Sequence, residues 1–180
     1  MRIDSEQLPQ QLARGLKPLY VVFGEELLLS IETADRIRAK ALEQGYGERR
    51  ILTVETGFDW GELAMAGNSM SLFAPKRLLE LRIPTGKPGK EGSEALQAIA
   101  AAPPEDTVTL ISLPALDRQT LGSKWFEALE AASVAVHAAA VKGERLAIWL
   151  SSRLGQHGLQ ADTDTIAFLV SRVEGNLLAA

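Results

Sequence analysis

The sequence of 180 residues predicts an α/β fold, with a five-stranded parallel sheet that carries helices on both faces. Two observations support this prediction: short apolar runs recur five times, and stretches with helical spacing of apolar residues separate them. Strands that alternate with helices along a chain pair in parallel, because each helix carries the chain back across the sheet. The predicted strands are residues 19–23, 50–54, 78–83, 107–112 and 133–136.

Each predicted helix has its own local signals. The first spans 25–44, where apolar residues recur at three- and four-residue steps and Gly45 supplies the stop. Asp59 and Asp117 are suitable N-caps for the helices that follow them. The predicted helices are residues 25–44, 60–66, 93–101, 118–131, 144–154 and one that is capped by residues 161–164. The glycine-rich segment 85–92 is predicted to be a flexible loop.

The alternation of strands and helices stops near Val141, and only helical patterns follow. The sequence therefore predicts an α/β domain over 1–140 and a small helical unit over 141–180. An apolar helical pattern at Leu177-Leu178 is still in progress where the sequence stops. We therefore expect the chain to be an N-terminal fragment of a longer protein.

Composition excludes several classes of site. The sequence has no cysteine and only two histidines, which lie in unrelated segments, so we expect neither a metal site nor a disulfide. The net charge of −4 gives no general attraction to nucleic acid or to an anionic membrane. The sequence shows neither a membrane-spanning run nor a secretory signal, and it predicts a soluble cytoplasmic protein.

The turn after the first predicted strand is where a sheet of this kind would bind phosphate. A phosphate loop needs several glycines and a lysine. Here the turn has one glycine, Gly24, followed by Glu25 and Glu26, which suit the start of a helix and would repel a triphosphate. The strand 78–83 offers no acidic pair for Mg²⁺, and Asp117 is better interpreted as a helix cap than as a base. We expect no bound nucleotide and no other cofactor.

Other candidate residues also favour a structural interpretation. Trp60, Trp125 and Trp149 fall on apolar helix faces, which predicts core packing rather than base stacking. The basic pairs Arg49-Arg50 and Lys87/Lys90 are typical of a solvated face.

The connection between the helix at 60–66 and the strand at 78–83 has an unusual composition. Gly67-Asn68 indicates a helix end, and Pro75 disfavours helical geometry at the residue before it. Met70, Leu72 and Phe73 lie between these signals, on a connection where polar residues are the default. Two hypotheses remain: the apolar residues cover an edge of the core, or they form a plug that fits a partner's pocket.

The chain resembles the delta subunits of the bacterial DNA polymerase III clamp loader. The resemblance covers all 180 residues and rests on four segments taken together and in order. These are residues 19–26 (LYVVFGEE), 70–74 (MSLFA), 124–126 (KWF) and 174–179 (EGNLLA). In that family an AAA+-like core without a nucleotide site is followed by a helical lid domain and then a collar domain. The resemblance therefore implies a lid over 141–180 and a missing collar.

The resemblance also implies a function. Met70, Ser71, Leu72 and Phe73 would bind the hydrophobic groove of the sliding clamp (beta subunit), which the delta subunit springs open without hydrolysing ATP itself. The usual clamp-binding peptide is Gln-Leu-x-Leu-Phe, and this sequence lacks its glutamine. The further implied partners are the ATPase subunits, delta prime and, in the full complex, primed DNA. Two alternatives remain: a degenerate P-loop-like nucleotide-dependent enzyme with an unrecognised site, and a scaffold for an unrelated partner.

Overall fold

The structure, a computed structural model, describes residues 1–68 and 76–179. Its centre is one parallel sheet of six strands in the order β1-β6-β2-β5-β4-β3. The strands are β1 (Arg2–Asp4), β2 (Leu19–Gly24), β3 (Glu48–Thr53), β4 (Arg77–Arg82), β5 (Thr107–Ser112) and β6 (Val134–Ala138).

Helices connect the strands and cover both faces of the sheet. They are α1 (Leu8–Ala13), α2 (Leu27–Glu43), α3 (Gly61–Asn68), α4 (Gly89–Ala101), α5 (Arg118–Leu121), α6 (Lys124–Ala132), α7 (Glu144–Gln156) and α8 (Thr163–Val173). Short 3-10 turns precede α1 and follow α8. None of the helices in the described part of the chain is both long and apolar enough to cross a membrane.

Alternate residues of the central strands enter two separate cores. On one face, Phe23 of β2 and Leu81 of β4 pack against α3, α4 and α6. On the other face, Tyr20 and Val136 pack against α1 and α2. β2, β4 and β5 are buried along most of their length. Burial on both faces explains why the sequence of β2 is a continuous apolar run.

The predicted α/β class, the parallel pairing and the placement of helices on both faces are confirmed. The prediction of five strands is wrong by one, because β1 pairs with β6 at the edge of the sheet. β1 has only three residues and Arg2 and Asp4 flank its one apolar residue, so the sequence contains too little strand pattern to detect. The division into domains at residue 141 stays a prediction.

Three helix predictions also need correction. The helix predicted over 118–131 is two helices, since the chain breaks at Gly122 and restarts after Ser123. The loop predicted over 85–92 is shorter, because α4 already begins at Gly89. Helix α1 has no counterpart among the predicted elements.

The turn after β2 requires a glycine for steric reasons. Gly24 has a φ of +148°, and a Cβ built on it would lie 2.1 Å from the backbone oxygen of Ala138 in β6. The backbone N–H of Glu26 donates to that same oxygen at 3.0 Å. The first turn of α2 is therefore held directly against the end of β6.

We predict that Gly24→Ala lowers the free energy of unfolding by at least about 2 kcal/mol, because it combines a strained φ with a backbone clash. Urea unfolding followed by circular dichroism measures the change. Gly47→Ala is the matched control, since a Cβ there meets nothing within 4 Å. The control should change the free energy by less than about 1 kcal/mol. Equal losses in the two variants would contradict the steric explanation.

Candidate functional site: the two edges of the sheet

The turn at the carboxyl end of β2 satisfies its own polar groups. The Glu26 carboxylate accepts a hydrogen bond from the backbone N–H of Leu28 at 3.3 Å and so caps α2. A carboxylate oxygen of Glu25 lies 3.5 Å from Nε2 of His137, whose ring stacks on Phe23 with 5.0 Å between centroids. The predicted role of these acids at the helix start is confirmed for Glu26. Both carboxylates stand where a phosphate group would need amides and a lysine.

A groove of about 610 Å³ lies beside this turn, between α2 and the carboxyl ends of β2, β4 and β5. Leu27 and Ile31 of α2 form part of its wall and remain 58% and 43% exposed. The opposite wall is formed by Arg82, Ile83, Pro84, Ser112, Leu113, Pro114 and Ala115. The groove is mostly apolar, and no lysine lines it. Within the described ranges, no group of three His, Asp or Glu side chains is placed to hold a metal ion.

A further acid, Glu80 of β4, is fully engaged by arginines. It is buried, and Arg38 of α2 donates to its two oxygens at 2.8 and 2.9 Å. Arg49 of β3 donates to it at 2.5 Å, and Arg82 lies 3.6 Å away. Burial alone would raise the pKa of Glu80, but the hydrogen bonds from Arg38 and Arg49 outweigh it and lower the pKa to about 2. This carboxylate therefore neutralises arginines and is not available to a metal ion.

The Glu80 cluster corrects one sequence-based interpretation. Arg49 is not part of a simple solvated face, because its guanidinium pairs with a buried carboxylate. Arg50, Lys87 and Lys90 are exposed, as predicted. The sequence gives no direct signal for the cluster, since Arg38 and Glu80 are 42 residues apart.

Asp117 is a helix cap, as predicted. Its carboxylate accepts a hydrogen bond from the backbone N–H of Thr120 at 2.7 Å, at the start of α5. This bond holds the pKa of Asp117 below its usual value. The three tryptophans pack against apolar clusters, which confirms their predicted structural role.

The predicted binding residues Met70, Ser71, Leu72 and Phe73 lie outside the described residues. On both sides of this segment, described residues make contacts with other elements of the fold. Upstream, α3 is anchored by Leu63, which is buried in the core. Downstream, Nζ of Lys76 lies 5.3 Å from the ring centroid of Tyr46 and donates to the backbone oxygen of Gln44 at 3.5 Å.

The direction of the strands places the downstream end of the segment. β3 and β4 are parallel neighbours, with Glu48 paired to Arg77 and Thr53 paired to Arg82. The chain therefore leaves β3 at the carboxyl edge of the sheet and enters β4 at the amino edge. Lys76 lies at this amino edge, opposite the edge that carries the turn at Gly24.

We predict that the Glu80 cluster makes stability depend on pH in the acid range. The folded pKa of Glu80, about 2, lies below the ordinary pKa of 4.5, so the stabilisation is complete above about pH 4.5 and is lost as pH falls toward 2. A shift of this size corresponds to about 3 kcal/mol of unfolding free energy. Urea unfolding at a series of pH values measures it.

In the same measurement, Glu80→Gln should be destabilised by about 3 kcal/mol at pH 7, since it removes the carboxylate that Arg38 and Arg49 share and leaves Arg38 only the exposed Asp35. It should also show a flatter acid profile than the parent chain. Glu94→Gln, at an exposed position on α4, is the control and should retain the parent profile. A parent-like acid profile in Glu80→Gln would contradict the assignment.

Comparison with known proteins agrees with the predicted resemblance. The family model for the DNA polymerase III delta subunit matches residues 20–139. The DNA polymerase III subunits delta of Escherichia coli K12 and Haemophilus influenzae Rd are each 30% identical to the chain over 99% of its length. The chain spans about half the length of these curated relatives, 52% in both cases.

A solved structure supports the fold. The Bacillus subtilis DNA clamp loader delta protein superposes with a TM-score of 0.72 at 21% identity, over 97% of this chain and 54% of that protein. The resemblance predicted from the sequence is thereby confirmed. The chain belongs to the DNA polymerase III delta subunit family.

Proposed function

We propose that this protein binds a ring-shaped sliding clamp and helps to open it for loading onto primed DNA, without hydrolysing ATP itself. The observation that carries the proposal is the carboxyl edge of the sheet. There, a nucleotide-binding type of fold presents Glu25, Glu26 and an apolar groove in place of a phosphate site. A fold that has this architecture but lacks a phosphate site acts by binding partners through its surfaces.

The proposed clamp-binding element is Met70, Ser71, Leu72 and Phe73. Its support is compositional and topological: large apolar side chains stand on a connection that re-enters the sheet at the amino edge. The described residues that flank the element are α3, which is anchored by the buried Leu63, and Lys76, which contacts Gln44 and Tyr46. The missing glutamine removes one polar contact of the usual clamp-binding peptide and leaves the apolar plug intact.

The other proposed partners follow from membership of the family. They are the ATPase subunits and delta prime of the clamp loader, with the protein acting in the cytoplasm where the chromosome is copied. Acidic residues at the phosphate-type turn count against the alternative of a nucleotide-dependent enzyme.

We predict that the double variant Leu72→Ala/Phe73→Ala loses clamp binding. Burial of an exposed Leu or Phe contributes about 1.5–3 kcal/mol, so the pair contributes roughly 3–6 kcal/mol before other costs. A loss of about 3 kcal/mol weakens binding by more than about 100-fold. Isothermal titration against the purified sliding clamp measures this change.

The matched control for this experiment is Ile148→Ala/Phe168→Ala, which removes two comparably large apolar side chains that are 69% and 56% exposed on α7 and α8. The control should bind the clamp like the parent chain. Thermal unfolding of both variants separates the two hypotheses for the segment. A marked drop in the melting temperature of Leu72→Ala/Phe73→Ala, with unchanged clamp affinity, would show that these residues cover the core.

We also predict that the chain does not bind ATP. Glu25 and Glu26 occupy the turn where phosphates would sit, and their charge repels a triphosphate. Titration with labelled ATP in the presence of Mg²⁺ should give no saturable signal. Saturation at micromolar concentration would refute the prediction and would favour the enzyme alternative.

A further inference from the structure

A groove of about 520 Å³ separates α2 from α7, the first helix after the sheet. Its walls carry several charged side chains of both signs, from the segment before α1, from α2 and from α7. These charged residues are Glu6, Glu32, Arg36, Arg145 and Arg153. The two helices therefore face each other across an opening and do not pack together along their full length.

Two ion pairs cross this groove, and they differ in the solvent exposure of their side chains. Arg153 of α7 lies 2.7 Å from Glu32 of α2, and the two side chains are only 29% and 25% exposed. Arg145 lies 3.8 Å from Glu6, with both side chains more than 60% exposed. Surface ion pairs contribute little, because solvent screens them. Arg153–Glu32 is therefore the stronger of the two connections.

Glu32 and Arg153 are each held in place by a second contact. Arg36, one turn along α2, lies 3.9 Å from the Glu32 carboxylate. The Arg153 guanidinium lies 4.9 Å from the ring centroid of Trp149, one turn earlier on α7. These contacts orient both partners toward the groove, which reduces the entropy lost when the ion pair forms.

The apolar contact beneath the groove is narrow. In the cluster that joins α7 and α8 to the rest of the chain, Leu29 and Ala138 are the buried residues from α2 and the sheet, and Leu28 packs beside them half-buried. The remaining buried members all follow residue 140: Val141, Leu146, Leu150, Ile166, Val173 and Leu177. A contact of this size leaves room for α7 and α8 to tilt relative to α2.

The connection from β6 to α7 contains a suitable pivot. Gly143, immediately before α7, has a φ of +57° and a ψ of −135°, and a Cβ at this position would meet nothing within 4 Å. Hinge residues absorb changes in backbone dihedral angle at the ends of elements. Gly143 meets this requirement because it is neither packed nor restricted by a side chain.

We propose that the Arg153–Glu32 pair is an ionic strap that holds α7 and α8 closed against α2, with Gly143 as the pivot. Breaking the pair lets the groove widen. The pair resists salt better than an exposed pair does, because it is half-buried and its 2.7 Å contact is shorter than the Debye length of about 3 Å at about 1 M ionic strength. The orientation of α7 and α8 is therefore set by one charge pair in addition to the apolar contact.

Spin-label distance measurements test this proposal directly. The chain has no cysteine, so Ala39→Cys on α2 and Ser151→Cys on α7, both exposed, provide a single pair of labels. In low salt the labelled chain should give one narrow distance distribution. Arg153→Gln should add a second, longer distance.

Two further variants make the test specific. The charge swap Glu32→Arg/Arg153→Glu should move the distribution back toward the short distance in low salt, since it rebuilds the pair with reversed signs. The recovery should be incomplete, because the new arginine lies beside Arg36. Arg145→Gln removes the exposed pair on the same helix and should leave the distribution unchanged. Circular dichroism of every variant reports whether it is folded.

The proposal is overturned if Arg153→Gln is folded and keeps the single narrow distance. If Arg153→Gln does not fold, Glu32→Gln, which removes the other half of the pair, decides. An unchanged distribution in Glu32→Gln would then show that the apolar contact through Leu29 and Ala138 alone holds the helices.

Discussion

The close approach of Gly24 to the carbonyl of Ala138 is the constraint on which the rest of the structure depends. It occurs where the central strand β2 ends beside β6, and a side chain of any size at residue 24 would push these strands apart. The same carbonyl accepts the N–H of Glu26, so the start of α2 is attached to the end of β6. From β6 the chain continues into α7 and α8. One glycine thus sets the spacing of the central strands, the start of α2 and the point from which the last helices leave the sheet.

This constraint gives the turn after β2 a structural role that does not depend on phosphate. The glycine is needed for packing, and the backbone N–H groups near it are used inside the protein, by Ala138 and by the Glu26 carboxylate. The strongest charge interactions lie instead at Glu80, where a buried carboxylate holds Arg38 and Arg49 between α2 and the sheet. These ion pairs therefore hold α2 in position against the sheet. A partner would bind the surfaces that this arrangement leaves exposed.

Local signals were sufficient to predict most of the fold. The run at β2 is apolar throughout because this strand is covered on both faces. Asp117 and Asp162 cap helices through bonds within three residues. Features that depend on distant partners were not predictable. β1 is a strand because β6 pairs with it, and Glu80 is tolerated in the core because Arg38 and Arg49 arrive from other elements. Of the candidate site, the sequence predicted the acidic turn, whereas the arginine cluster beside it was not visible in any local pattern.

Helix α2 is the physical link between the two edges of the sheet. Its 17 residues span about 25 Å, from the turn at Gly24 to the amino edge. Near its start it meets the last helices through Leu29 and Glu32. Just beyond its end, the carbonyl of Gln44 and the ring of Tyr46 hold Lys76, three residues after the proposed clamp-binding element. Helix α2 and the residues that follow it therefore connect the place where α7 and α8 contact the rest of the chain with the amino edge of the sheet. Because an α-helix is stiff along its axis, these two places keep a fixed spacing.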